Sequence, residues 1–173
     1  MQIYFGLTVT SIKNTVAVFL TFAFEDNFFA AEKGVRVLKR RQARESILKA
    51  LFMVDTGEND PEAVERYLLT EAGVSEEEGD FFRSFFYGVL EKKAQLDSTL
   101  KDHLINWKLD RLSPVVRNIL RMGLYEVLYL PGIPEKVSLN EAIELAKIFQ
   151  DEEAARFVNG VLDRARKSVK GEC

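Results

Sequence analysis

Cysteine and histidine each occur once among the 173 residues, which leaves little room for covalent or metal chemistry. The cysteine, Cys173, is the last residue. No disulfide can close within the chain, which fits a reducing, cytoplasmic setting. Cys173 and His103 cannot build a zinc site between them. Proline is scarce at 4 and glycine modest at 10, so few residues interrupt regular structure. Long apolar runs are missing too. Thr15 to Phe24 is about ten residues long, too short to span a bilayer. Neither G-x-x-x-x-G-K-[ST] nor G-x-G-x-x-G occurs, so no glycine loop is built for a nucleotide phosphate. No Ser, Cys or Asp stands at a suggestive spacing from His103, which reads as structural. The acidic groups Glu76-Glu77-Glu78, Glu141 with Glu144, and Glu152-Glu153 each fall near an expected helix start, where the macrodipole favours negative charge. These absences leave an enzyme, a metal or a cofactor with no residue to rest on.

What is present is ordinary core material and one unusual charge cluster. Hydrophobic residues make up 47% and charged residues 29%, enough to bury a core in one domain plus an appendage. The abundance of Leu, Ala, Glu, Lys and Arg makes the expected fold all-α. Residues 1–36 differ from the rest in being β-branched, aromatic and poor in charge. They fit the apolar part of a signal peptide, with Lys13 before and Ala30-Ala31 after, but Glu25 and Asp26 count against export. The preferred reading is an extension ahead of a true start at Val35 or Val37, because the chain from Val37 on is coherent without it. The domain is therefore placed at 37–170.

Lys39, Arg40, Arg41 and Arg44 gather within six positions of a chain whose net charge is -3. A cationic cluster on an acidic chain is either a solvated helix end or a phosphate-binding surface. It opens a helix expected over Lys39–Thr56 and stopped by Gly57, with Ala43, Ile47, Ala50, Leu51 and Val54 as the buried stripe. At about 100° per residue, Arg44 lies beside that stripe, Arg41 shares the next row with Leu48 and Phe52, and Lys49 points outward. Asp60-Pro61 starts a second helix and Ser75 with Glu78 caps a long third one. Ser113-Pro114 opens a helix so apolar that it should be central. Ser138 with Glu141 reads as a further capping box, and a last helix spans Glu152–Val169. Arg156-Phe157, at the start of that helix, repeats the basic–aromatic pairing. Phe157 also lies on an apolar stripe, so core packing and a surface role both remain open for it.

The run Val137-Ser138-Leu139-Asn140-Glu141-Ala142-Ile143-Glu144-Leu145-Ala146-Lys147, followed by Arg156-Phe157-Val158-Asn159-Gly160-Val161-Leu162-Asp163, resembles the C-terminal signature of the NusB family of transcription antitermination factors. Arg41 to Phe52 resembles the family's arginine-rich first helix, and Arg117 to Glu126 its central helix. The likeness is collinear over Lys39–Lys167.

The resemblance implies an all-α fold of two packed three-helix bundles. It also implies binding of boxA RNA together with NusE, a ribosomal small-subunit protein, and read-through of terminators by RNA polymerase with other Nus factors, mainly in ribosomal RNA operons. Carried over, the RNA contacts are Arg40, Arg41, Arg44, Arg156 and Phe157. Lys39 joins them on charge alone. Phe52 is expected near the NusE surface, and Glu153 is expected to limit RNA affinity. Val116 stands where the family has an acidic partner contact, so the chain departs from the family pattern there. A homodimer covering the arginines is a further implied state. The alternatives are a helical scaffold that binds only protein, and a domain related to the RNA-binding part of ribosomal RNA cytosine methyltransferases, which would need a methyltransferase domain beyond Cys173.

Overall fold

The computed structural model describes residues 40–57, 59–72 and 76–171. Segment 1–36, Lys39, the Ser75 cap, the side chains of Glu76 to Glu78 and Cys173 lie outside the described residues. Six α-helices and one short 3-10 turn, Leu109–Arg111, make up the regular structure, and no strand occurs among the described residues. The helices are α1 (Arg40–Gly57), α2 (Pro61–Ala72), α3 (Glu76–His103), α4 (Pro114–Tyr129), α5 (Glu135–Phe149) and α6 (Glu152–Lys170).

Local chemistry sets most of the starts. The Asp60 carboxylate accepts from the Ala63 amide at 3.1 Å, with Pro61 as the first residue of α2. The Ser113 hydroxyl accepts from Val116 N at 3.2 Å ahead of Pro114. Asp151 caps α6 by accepting from Ala154 N at 2.7 Å. The expected cap at Ser138 is not used. Helix α5 begins one turn earlier because Pro134 takes φ -60 and its carbonyl accepts from Val137 N at 2.8 Å and Ser138 N at 3.2 Å. Ser138 is consequently an interior, fully buried helix residue.

Helix α1 packs on α2 and α3 as one bundle, while α4, α5 and α6 pack on one another as the second. Glu65 of α2 closes the first bundle, accepting from Arg83 at 2.6 Å and from the Tyr87 hydroxyl at 2.7 Å, both on α3. Helix α4 also lies against α1 and α3, so it is the shared centre. That is why it has so little polar surface: Val115, Val116, Ile119, Leu120, Met122, Leu124 and Tyr125 are all buried. Phe82, Phe85 and Phe86 of α3 fill the seam beside it. Each such ring contributes about 1.5–3 kcal/mol by leaving water. Two glycines allow the close approach. A Cβ on Gly88 would overlap the Tyr125 hydroxyl, and one on Gly123 would sit 2.6 Å from Leu162 Cδ1 and 3.1 Å from Ala142 Cβ.

Two polar clamps also hold α1 to α4. Near its start, Arg44 is ion-paired with Glu126. Near its end, Asp55 accepts from Arg117 at 2.6 Å, Lys93 at 3.1 Å and Arg121 at 3.2 Å. Arg121 in turn reaches Asp97 of α3 at 2.7 Å. Burial pushes the Asp55 carboxyl up, but hydrogen bonds from Arg117 and Lys93 and the Arg121 charge outweigh it and hold its pKa at about 2.

Candidate nucleic-acid interface

The start of α1 carries two exposed arginines and one that is not. Arg40 lies over the ring of Phe81, 5.9 Å from its centroid, a cation–π distance. Arg41 donates to Glu144 of α5 at 3.1 Å. Both groups of that pair are about half exposed, so the pair contributes little stability and exchanges readily. Hydrogen bonds from Arg41 and Lys147 hold the Glu144 carboxyl below the usual range, so it stays charged into acid.

Arg44 differs from the expectation of a cation beside the buried stripe. It is only 3% exposed. Its Nε donates to Glu126 Oε2 at 3.0 Å, its Nη2 donates to the other oxygen, and Glu141 lies 3.8 Å from Nη1. The reason is tertiary: a carboxylate 82 residues away is buried opposite it, and two such charges enter the core only together. Lys49 also departs from expectation. It is half-buried, burial pushes its ammonium pKa down, and Glu45 one turn earlier opposes that shift.

From Arg41 the surface continues as alternating charge. Glu144 lies 3.4 Å from Lys147, which reaches Glu152 at the start of α6 at 3.6 Å. On α6, Glu152, Arg156 and Gly160 recur at four-residue steps on the outward face. Phe157 turns to the flank, half-buried, with its ring centroid 6.1 Å from that of Trp107. The fold thus places Arg40 and Arg41 at one end of a surface strip and Arg156 with Phe157 at the other, across α5. Arg44 lies beneath it. Phe52 is half-buried about 17 Å along α1 from Arg41, at the 1.5 Å rise per residue, so it belongs to a different patch. Val116 is buried and presents nothing to a partner.

Periodicity places Phe81 on the apolar face of the long third helix and gives neither it nor Trp107 a role at this surface. Trp107 has one legible signal, that it is the chain's sole tryptophan and stands between Asn106 and Lys108 after a long helix. Phe81 has none, because its significance lies in arginines on another helix. His103 points back along α3, its Nδ1 2.7 Å from the Thr99 carbonyl. Among the described residues no three His, Cys, Asp or Glu side chains cluster to hold a metal. No helix among them is long and apolar enough to cross a membrane.

Six helices in two bundles, crossed on the surface by a strip of alternating charge, define an all-α class among the described residues. The family model for the NusB family matches residues 41–167, and the chain belongs to that family. It is 47% identical over 133 residues to the transcription antitermination protein NusB of Bacillus pumilus (strain SAFR-032), covering 77% of this chain and 98% of that protein. Identity to the protein of the same name from Bacillus subtilis (strain 168) is 47% over 135 residues, covering 77% of this chain and 98% of the relative. Among solved structures, T. maritima NusB superposes with a TM-score of 0.69 at 33% identity, covering 80% of this chain and 100% of that one. A crystal structure of antitermination factors NusB and NusE in complex with dsRNA matches with a TM-score of 0.69 at 26% identity, covering 75% of this chain and 96% of that one.

Proposed function

We propose that this protein is a transcription antitermination factor that binds boxA RNA together with NusE and helps RNA polymerase read through terminators, acting by binding and without catalysis. The observation that carries this is the surface strip from Arg40 and Arg41 across α5 to Arg156 and Phe157 on a chain of the NusB family. The solved complex of NusB, NusE and RNA supports the pairing of partners. The site of action is the cytoplasm, where transcription takes place.

In this reading Arg40, Arg41, Arg156 and Lys39 meet phosphates. Arg41 exchanges its exposed carboxylate partner Glu144 for a phosphate oxygen, a swap between two surface ion pairs of similar strength. Phe157 offers a ring to a base. Arg44 is a positioning residue: through Glu126 it sets the rotation of α1 and so the direction in which Arg40 and Arg41 point. Phe52, on its separate patch, faces NusE. Residues 1–36 are an extension dispensable for binding.

The test is anisotropy of labelled single-stranded boxA RNA against a scrambled sequence, with and without NusE. Four phosphate contacts give a slope of log affinity on log salt of about -3. A flat response, or equal affinity for the scrambled strand, overturns the proposal.

A further inference from the structure

Trp107 is the chain's sole tryptophan, and it stands 56% exposed beside Ile105 at 60%. Tryptophan is normally well covered, so an exposed indole on a fixed support is unusual. The support here is specific. Leu109, 3% exposed, anchors the segment on one side, with Arg111 N donating to the Lys108 carbonyl at 3.0 Å to close the 3-10 turn. On the other side Arg164 of α6 donates twice to the His103 carbonyl, at 3.1 and 3.3 Å, and ties the end of α3 to α6. Asn106 sits at φ 62, a left-handed conformation that asparagine tolerates better than most residues. It bends the chain just before Trp107. The edge-to-face contact with Phe157, 6.1 Å between centroids at 69°, then orients the indole.

We propose that Trp107 is a second base-stacking platform, continuous with Phe157, that takes an unstacked base of a single-stranded RNA. The inference rests on the RNA-binding reading of the strip. Two features favour a nucleic acid base over an apolar protein segment. The indole is joined to the strip through Phe157, and each ring has a cation as sequence neighbour, Arg156 beside Phe157 and Lys108 beside Trp107. The patch is therefore a ring pair flanked by phosphate-seeking charge, the combination that single-strand binders use. The angle between the rings adds a constraint. Bases that stay stacked on each other are parallel, and planes 69° apart cannot both accept parallel neighbours. Consecutive bases must splay, which a duplex does not permit without opening. The surface therefore selects a single strand that turns at this point.

A sole tryptophan makes the test direct. Intrinsic emission of the full chain is followed while an unlabelled boxA single strand is added, and affinity is measured in parallel by anisotropy of the fluorescein-labelled strand. The expected result is saturable quenching of Trp107 that tracks the anisotropy curve. Trp107→Ala is expected to weaken binding about tenfold, with Trp107→Phe in between. Because the side chain is largely exposed, the circular dichroism and Tm of both variants should match the parent. Tight RNA binding with unchanged emission and an unaffected W107A overturns this inference and leaves the RNA reading standing. Emission that responds to NusE alone, with W107A losing NusE but not RNA, makes the patch a protein-docking surface and also overturns it. Failure of the parent chain to bind the strand at all removes the RNA reading and this inference with it.

Discussion

Arg44→Ala provides the sharpest test of the geometry, because the same substitution has opposite meanings for a surface and a buried arginine. As an RNA contact in water, Arg44 could be truncated at a stability cost within about 0.5 kcal/mol. In the structure its side chain is 4% exposed and that of Glu126 2%. Truncation leaves the Glu126 carboxylate in a dry pocket facing only the void, and breaking a buried pair from one side costs about 3–5 kcal/mol. Loss of the Phe81 contact, 6.0 Å from the guanidinium to the ring centroid, adds about 0.5–1 kcal/mol. Against a typical total of about 5–15 kcal/mol, R44A should move the urea midpoint far and thin the folded population at 37 °C. Its apparent RNA defect would then report unfolding. Replacing both partners, R44M with E126L, fills the pocket without charge and should return stability to near or above the parent. The assay is urea denaturation followed by circular dichroism on the parent, R44A, E126A and the double alanine variant, with RNA anisotropy on R44M/E126L. A coupling energy near zero, or R44A as stable as the parent, refutes the buried pair. A stable R44M/E126L that has lost RNA affinity by about tenfold or more (~1.4 kcal/mol) would show that the pair serves RNA binding beyond its share in stability.

Arg41→Ala removes a half-exposed pair, so its Tm should stay within a degree or two of the parent while the salt slope of RNA binding falls by about 0.7. Asp55 has its carboxyl pKa depressed to about 2 by its arginine and lysine partners. Its contribution, on the order of 1–2 kcal/mol, is therefore whole above the ordinary carboxylate pKa near 3.8 and is lost as pH falls from there toward 2. The stability difference between parent and D55N should shrink over that window, and a pH-independent difference would contradict the clamp. Gly88→Ala should destabilise by about 1–3 kcal/mol in thermal unfolding despite alanine's better helix propensity, because the Tyr125 ring it meets is held between Phe85 and Tyr129. A chain begun at Val37 should match the full chain in RNA anisotropy, and a large loss of affinity would give residues 1–36 a role in binding.

Features whose cause lies within one turn of chain were readable from the residues. Asp60-Pro61 and Ser113-Pro114 announce their helices because cap and first-turn proline act on neighbouring amides. The apolar density of α4 announces its central place, since only a helix covered on most sides can afford it. The likeness around Asn140-Glu141 and Val158-Asn159-Gly160 carried the bundle architecture. Ser138 apart, what escaped depends on partners remote in sequence. Ser138 carries a cap pattern, yet Pro134 nucleates the helix first. Arg44 has the spacing of a flank residue, and only the fold brings Glu126 over it. Trp107 acquires meaning only when α6 lays Phe157 against it. Helical period gives the direction of a side chain from its own axis, and says nothing about which charge or ring waits there.

The chain of contacts Arg41, Glu144, Lys147 and Glu152 has a consequence for selectivity. Each cation in it already has a rival acid within the same molecule. An arriving phosphate gains only the margin by which it outcompetes that acid. A polyanion that touches one cation at a time gains almost nothing, and the overall charge of -3 gives it no long-range pull. A strand that also lays bases on rings has attractions the carboxylates cannot imitate. On the proposed RNA-binding reading, the acids on the strip are a handicap shared by all comers, which a single strand that also stacks its bases is expected to overcome.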